Sequence, residues 1–339
     1  SEFTGVEQHQ AQLRKCRVRF RAGMVLQEIL ALPHFLGVRG TAEDQGIGQA
    51  NARLRVRAGL ALHTLGVVEF GEHRRRRAVD LLGGTAAGRA VIGRANRNAT
   101  PDEMKRMEQI TEKAMQDGAV GLSTGLIYVP GTFTPTQELI NLAKIAGRNN
   151  GVYATHMRDE GDSVTQAIEE ALLIGREGNL PVQLSHFKLS GQQNWGRSKQ
   201  TLNMVEEARA NGQDVTIDQY PYTASSTSIS TLIPDHILAD GQDSIRARLK
   251  RPEVRKEVIA SIQNRLKKRG LKHLNYAVVA YFDADTTYNG KSIEEINLMK
   301  GRKHKTKYEA ETVMDIQMAG GASAVFHGMG ESDVQRIMK

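Results

Sequence analysis

A helix followed by a short apolar strand occurs three times in succession in this sequence, at a repeat of about 30 residues. The predicted strands are residues 152–155, 182–185 and 215–218, each preceded by a segment whose apolar residues recur at helical spacing. This alternation is typical of a parallel sheet whose strands are joined by right-handed helical crossovers. The sequence therefore predicts an α/β fold.

Helix starts with a specific chemical signature precede the first of these strands. Thr100 and Glu103 form a capping-box pair around a first-turn proline, which predicts a helix that ends near Gly118. Thr134 and Gln137 repeat this opening, so a second helix is expected to begin with Thr134 as its N-cap.

A histidine follows each of the first two strands. His156 and His186 are 30 residues apart and occupy equivalent points of consecutive units. In a β/α barrel, functional side chains lie at the carboxyl ends of the strands. Neighbouring strands are about 5 Å apart, so both imidazoles could reach one Zn²⁺ at about 2.0 to 2.1 Å. A hydrogen-bonded structural histidine is the alternative for either residue alone, but the repetition favours a metal site.

The composition limits other interpretations. The net charge is +8, and residues 1–93 contain 13 Arg and one Lys. The run from Arg74 to Arg77 could bind phosphate groups, but no aromatic residues accompany it, so nucleic-acid binding is the weaker interpretation. The single cysteine, Cys16, excludes an internal disulfide and leaves a metal site to His and carboxylate ligands.

We expect neither a membrane span nor a secretion signal in this sequence. No apolar stretch approaches the roughly 18 to 20 residues that a bilayer requires, and the N-terminus lacks the order of a signal peptide. We therefore expect a cytoplasmic protein that acts on a small molecule, whereas the sequence leaves the oligomeric state open.

The regularity of the pattern divides the chain into four parts. Residues 1–93 show no consistent helix or strand pattern and form an Arg-rich segment of uncertain fold. Residues 94–230 carry the predicted barrel units. Basic helical stretches interrupt the rhythm over residues 231–322, which predicts an inserted lobe. An apolar strand pattern then predicts that residues 323–339 return to the barrel.

Seven ordered segments carry a more specific signal. They are Gly118-Ala-Val-Gly-Leu-Ser-Thr-Gly-Leu-Ile-Tyr-Val-Pro-Gly131, Tyr153-Ala-Thr-His-Met-Arg158 with Asp159-Glu160-Gly161, Leu184-Ser-His-Phe-Lys188, Asn194-Trp-Gly-Arg197, Asp218-Gln-Tyr-Pro-Tyr-Thr-Ala-Ser-Ser-Thr227, Asn289-Gly-Lys-Ser292 and Ala322-Ser-Ala-Val-Phe-His327. Together they resemble the N-acyl-D-amino-acid deacylases, or D-aminoacylases, of the metal-dependent amidohydrolase superfamily. An ordered series of this kind is far more specific than one short motif.

The resemblance implies an amidohydrolase-type β/α (TIM-like) barrel, incomplete in this chain. It also implies zinc-dependent hydrolysis of the amide bond of N-acyl-D-amino acids to a carboxylate and a D-amino acid. His156 and His186 match the zinc ligands of the family. Tyr220 matches a tyrosine that donates a hydrogen bond to the developing oxyanion, and Ser226 matches a residue near the substrate carboxylate.

Two cations follow the proposed ligands closely. Arg158 and Lys188 each lie two residues beyond a histidine, which places them beside the pocket if strand alternation continues. We expect them to bind the substrate carboxylate or to support the ligands, with surface salt bridges as the alternative. For Asp218 we expect a structural hydrogen-bonding role.

Three family features have no counterpart in this sequence. Its early histidines make no His-x-His pair, and Cys16 lies between Lys15 and Arg17 without the glycines of the family's metal-bridging turn. The helix-like segment 331–338 precedes the end at Lys339, so we expect the family's strand-eight aspartate to lie outside this chain. A catalytically incompetent fragment, or a metal- or ligand-binding remnant, therefore remains the alternative function.

Overall fold

The structure is a computed structural model, and it describes residues 69–70, 76–80 and 89–339. Cys16 and the early histidines lie outside these residues, as does most of the Arg-rich segment 1–93, including Arg74 and Arg75. The interpretations that rest on them therefore remain predictions. Within the described part of the chain, no helix has the length and apolar character that crossing a membrane requires.

A six-stranded sheet carries the histidine pair. Its strands are β1 Glu69–Phe70, β2 Arg76–Asp80, β3 Gly121–Gly125, β4 Val152–His156, β5 Val182–Leu184 and β6 Val215–Ile217. They lie in chain order, with β1 antiparallel to β2 and with β2 to β6 all parallel. The predicted α/β class and parallel sheet are confirmed. Among the described strands, β6 does not pair back to β1, so no closed barrel is formed by these residues.

Helices alternate with the parallel strands as the pattern predicts. They are α1 Arg89–Ile92, α2 Pro101–Gln116, α3 Thr136–Arg148, α4 Val164–Gly178 and α5 Ser198–Ala210. Helices α2 to α5 pack in succession, and their apolar faces join the strands in one core. The core includes the fully buried side chains of Leu139, Tyr153, Ile168 and Leu184. Helical spacing of the apolar residues places them on the face that covers the sheet.

The two predicted helix starts have different outcomes. The capping box of α2 is present, because Thr100 accepts from the Glu103 N–H and Glu103 accepts from the Thr100 N–H. The start predicted at Thr134 is wrong, since α3 begins at Thr136 and has no side-chain cap. Thr134 instead ends a short 3₁₀ turn, and the Gln137 amide donates to Asn141 within the helix.

A second, antiparallel sheet follows. Its strands are β7 Ala224–Ser228, β8 Ala277–Tyr281 and β9 Ser323–His327, in the spatial order β7, β9, β8. Its helices are α6 Gln242–Leu249, α7 Pro252–Lys268, α8 Ile293–Met299 and α9 Thr306–Met318. These elements enclose a separate apolar core that includes Leu249, Val258, Ile262, Val279 and Val313.

The strand pairing of β9 differs from the expected return to the barrel at residues 323–339. β9 pairs antiparallel with β7 on one side and with β8 on the other. Apolar alternation predicts that a segment is a strand but does not specify which sheet it joins. After β9 comes the last helix, α10 Glu331–Ile337. It packs against α5, one of the helices that alternate with the parallel strands.

Candidate metal centre

The strand register brings the two histidines to the same edge of the sheet. β4 and β5 are parallel neighbours with Thr155 paired to Leu184, so both chains leave the sheet side by side. His156 is the last residue of β4, and His186 follows β5 by two residues. The carboxyl ends of parallel strands are where functional side chains collect in β/α folds.

The backbone at His186 is held in an uncommon conformation. Its φ of 43° lies in the left-handed region, which non-glycine residues rarely adopt. The Asp218 carboxylate accepts the His186 backbone N–H at 2.5 Å and the Gln183 side-chain amide at 2.8 Å. These contacts agree with the structural role expected for Asp218, since they fix the turn that aims the His186 ring.

The two imidazole rings converge, as the sequence predicts. Nδ1 of His156 and Nε2 of His186 are in direct contact, and the ring centroids are 4.3 Å apart at an interplanar angle of 43°. The His156 backbone is also fixed, because its carbonyl accepts the Leu126 N–H at 2.9 Å. One nitrogen of each ring is thus directed to a common point at the mouth of the sheet.

A buried carboxylate, Glu160, holds the other side of the His186 ring. Glu160 Oε1 lies 2.9 Å from His186 Nδ1 and 2.5 Å from Lys188 Nζ. Lys188 Nζ also lies 2.5 Å from His186 Nδ1, and its side chain is only 3% exposed. Glu160 can accept only from a protonated Nδ1, which leaves the Nε2 lone pair directed at His156, whereas Lys188 can donate only to an unprotonated Nδ1.

This arrangement perturbs two pKa values. Burial, the neighbouring His186 and the Lys188 charge lower the pKa of His156 to about 3, against the opposing effect of Glu160. Burial alone would raise the pKa of Glu160, but the charges of Lys188 and His186 outweigh it and hold that pKa at about 2. Near neutral pH the site therefore contains a neutral His156 and an ionised Glu160, the forms that metal coordination requires.

Two tyrosines flank the histidine pair. The Tyr220 ring centroid is 6.4 Å from that of His186, and Lys188 Nζ lies 5.5 Å from the Tyr220 ring. The Tyr128 ring is 6.3 Å from that of His156, and its hydroxyl accepts from Thr227 Oγ1 at 3.2 Å. Aromatic rings thus lie on both sides of the histidine pair.

The other two residues predicted to bind substrate, Ser226 and Arg158, make contacts outside the histidine pair. Ser226 lies in β7 with an exposed side chain, paired with Val325, and its neighbour Thr227 connects this strand to Tyr128. Arg158 forms a two-pronged pair with Glu170, at 2.8 Å for each contact, and donates to the carbonyls of Thr132 and Thr134. These contacts satisfy the Arg158 charge without a substrate, so its substrate contact stays a prediction.

Sequence reasoning missed Glu160 and Tyr128 as members of the site. Glu160 lies four residues after His156 in an Arg-Asp-Glu-Gly turn, and nothing in that spacing indicates that it faces the second histidine. Tyr128 belongs to the glycine-rich segment after β3, where an aromatic residue is more often a packing residue. Both are brought in by the pairing of β3, β4 and β5.

The donor set fits a zinc ion. Zinc binds imidazole nitrogen readily, and a zinc-bound histidine usually donates its other N–H to a carboxylate or carbonyl. His186 meets this requirement through Glu160, and His156 presents a neutral ring. Two histidines supply half of a four-coordinate site, so the remaining ligands must come from water, substrate or other residues.

Comparisons with known proteins agree on one group of relatives. No protein-family model matches the chain. D-aminoacylase of Alcaligenes xylosoxydans xylosoxydans is 34% identical over 77% of this chain and 44% of its own length. N-acyl-D-aspartate deacylase of the same organism is 44% identical over 44% of this chain and 30% of its own length.

The solved structures that match this chain are also D-aminoacylases and related deacylases. A D-aminoacylase described as defining a novel subset of amidohydrolases matches with a TM-score of 0.55 and 34% identity, over 74% of this chain and 43% of that one. The N-acyl-D-glutamate deacylase of Bordetella bronchiseptica, solved with zinc and a phosphonate inhibitor, matches with a TM-score of 0.54 and 28% identity, over 72% and 42%. This chain therefore spans less than half the length of the relatives it matches.

Proposed function

Because this chain belongs to the D-aminoacylase family of the amidohydrolases, of which it spans less than half the length, we propose that it carries part of a zinc-dependent N-acyl-D-amino-acid deacylase site. The reaction is hydrolysis of the amide bond to a carboxylate and a free D-amino acid. The observation that carries the proposal is the convergence of His156 and His186 at the ends of adjacent parallel strands.

His156 Nδ1 and His186 Nε2 are the proposed zinc ligands, and Glu160 orients the second of them. When bound, zinc lowers the pKa of a coordinated water towards about 7 and polarises the scissile carbonyl. In our proposal, Tyr220 donates a hydrogen bond to the oxyanion that develops on that carbonyl. The phenol lies on the His186 side of the pair, which supports this assignment.

The residues proposed to act on the substrate differ in how well their contacts support that role. Ser226 is proposed to lie near the substrate carboxylate, which its exposed position allows. Lys188 is buried against Glu160, which favours support of His186 over direct contact with the substrate. For Arg158, the pair with Glu170 favours a structural role.

A cytoplasmic location and the absence of a nucleic-acid partner remain predictions.

The proposal is tested by incubating the full chain with Zn²⁺ and N-acetyl-D-methionine, with N-acetyl-L-methionine as the enantiomer control. We expect D-selective release of the free amino acid, and loss of about one bound zinc per chain and of turnover in His156→Ala and His186→Ala. His236→Ala is a matched control. His236 lies between β7 and β8, away from the histidine pair in the sequence, and its side chain is 54% exposed. Among its described contacts it pairs only with the exposed Glu257. Zinc content and activity unchanged in all three variants would overturn the proposal.

A second candidate function is metal or ligand binding without turnover. The observation in its favour is that the sequence contains no His-x-His pair and no glycine-flanked cysteine. A positioned proton-transfer group typically contributes about 10² to 10⁴-fold to a rate, so a site without one would bind metal and ligand but catalyse weakly. Zinc bound through His156 and His186 with no hydrolysis of either enantiomer would support this alternative.

A further inference from the structure

A second cluster of metal-ligating side chains lies in the unit built on β7, β8 and β9 and shares no residue with the histidine pair. It consists of His273, Glu294, His304 and Glu309. His273 lies in the turn between α7 and β8, and His304 in the turn between α8 and α9. Glu294 and Glu309 lie in the first turns of α8 and α9. Four separate chain positions thus converge on one point.

The donor atoms of this cluster are spaced like the ligands of a single ion. All four lie within 4.8 Å of one another. His273 Nδ1 is 2.5 Å from Glu309 Oε1 and 3.9 Å from Glu294 Oε1, and His304 Nε2 is 2.5 Å from Glu294 Oε1. Ligands of a tetrahedral zinc ion at about 2.0 to 2.1 Å are about 3.3 Å from each other. The observed distances bracket that value, so small side-chain movements suffice.

The charges of the cluster also favour a cation. Glu309 is completely buried, and its carboxylate lies near that of Glu294, a costly arrangement for two like charges. The His273 and His304 rings stack at 4.0 Å with an angle of 21°, and each presents a nitrogen to one of these carboxylates. One divalent ion between neutral imidazoles neutralises both carboxylates at once.

Surrounding contacts fix the ligands in place. The second oxygen of Glu309 accepts the Leu274 N–H at 2.7 Å, and Thr306 Oγ1 donates to the Lys272 carbonyl at 2.8 Å. The Asn297 amide donates to the Lys303 carbonyl at 3.1 Å, which holds the turn that carries His304. His304 is half exposed, so an ion can enter from solvent. Oriented ligands with an entry path are the features of a functional metal site.

We propose that His273, Glu294, His304 and Glu309 form a second, structural zinc site. Four protein ligands complete a tetrahedral coordination sphere and leave no position for a substrate, which is typical of structural sites. The bound ion ties the turn before β8 to the starts of α8 and α9. This proposal goes beyond the deacylase function and does not depend on it.

The test measures zinc per full-length chain by mass spectrometry after dialysis against dilute Zn²⁺. We expect His304→Ala to reduce the content by about one zinc and to remove most of the rise in melting temperature that zinc produces. His236→Ala again serves as the matched control, because that histidine is equally exposed and also pairs with a glutamate. The same measurements in a His156→Ala, His186→Ala background separate this site from the first.

Two further readouts decide the result if His304→Ala is poorly folded. Glu294→Gln keeps the size and hydrogen-bonding capacity of the side chain, and it is expected to lose the same zinc. Co²⁺ bound in place of zinc is expected to give the visible absorption of a tetrahedral site, which both variants lose. Zinc content and Co²⁺ spectra that match those of His236→Ala would overturn the proposal and leave a hydrogen-bonded network of histidines and glutamates.

Discussion

At the level of single residues, the candidate metal centre depends on a carboxylate, Glu160, that the sequence did not predict as part of the site. Glu160 compensates the buried Lys188 charge and orients His186, and its own pKa of about 2 keeps it ionised over the whole physiological range. Glu160 therefore stabilises the buried Lys188 and positions His186 for metal binding.

We expect Glu160→Gln to weaken zinc binding by about 10 to 100-fold, since the uncharged amide is a weaker acceptor for the His186 ring than the carboxylate. The same change leaves Lys188 buried without its partner, which costs about 3 to 5 kcal/mol of stability. Zinc titration and urea denaturation measure the two effects. In the double variant Glu160→Gln, Lys188→Met, stability should recover while zinc affinity stays low; parallel recovery of both would contradict a positioning role.

The pKa of His156 predicts how the metal-free chain responds to acid. Between pH 6.5 and about 3 the unfolded chain binds a proton at this residue that the folded chain does not, so stability falls as the pH decreases from 6.5. Glu160 adds to this effect at lower pH, because the stability it contributes above pH 4.5 is lost towards pH 2.

From pH 7 to pH 5 we expect the His156 contribution to lower the unfolding free energy by about 2 kcal/mol, at about 1.4 kcal/mol per pH unit. Urea denaturation at the two pH values measures it. The variant His156→Gln lacks the titrating ring and should lose this part of the pH dependence. An equally steep dependence in that variant would show that His156 is not the responsible group.

At the level of elements, the start of α5 is stabilised from a distant part of the chain. The buried Asp333 of α10 accepts the Gly196 N–H at 2.7 Å and the Ser198 N–H at 3.2 Å, and also binds the Ser198 hydroxyl. Helix N-termini need such acceptors because their first N–H groups have no partner within the helix. Asp333 thus connects the last helix, α10, to the start of α5.

We expect Asp333→Ala to lower the unfolding free energy by about 1 to 3 kcal/mol, because the buried Ser198 N–H and the part-buried Gly196 N–H just before α5 lose their acceptor. The neighbouring Ser332→Ala is the control, since that side chain is exposed on the same helix. Urea midpoints of the two variants should differ clearly. Equal midpoints would mean that water replaces the carboxylate without loss.

Sequence patterns predicted elements well where the determining contacts are local. The capping box of α2 involves residues three apart, so Thr100 and Glu103 indicated the correct start. The same signature at Thr134 failed because that residue is held in a 3₁₀ turn whose carbonyls bind Arg158 from another element. Long-range contacts of this kind leave no periodic signal in the sequence.

At the level of the whole molecule, the parallel sheet and its histidine pair were predictable, because both follow from the order of helices and strands. The antiparallel sheet was not, since β7 and β9 are about a hundred residues apart and their pairing depends on the intervening helices. The same holds for the second histidine cluster. His304 lies within a run of lysines, where a charged surface is the ordinary interpretation.

In the proposed metal centre, His156 and His186 bind one metal ion at the mouth of the parallel sheet. A crystal structure of the full chain grown with Zn²⁺, with anomalous diffraction recorded on both sides of the zinc absorption edge, tests it most directly. We predict an anomalous peak about 2.0 to 2.1 Å from both His156 Nδ1 and His186 Nε2, with Glu160 still bound to the opposite nitrogen of His186. A map with no peak between the two rings would contradict the account.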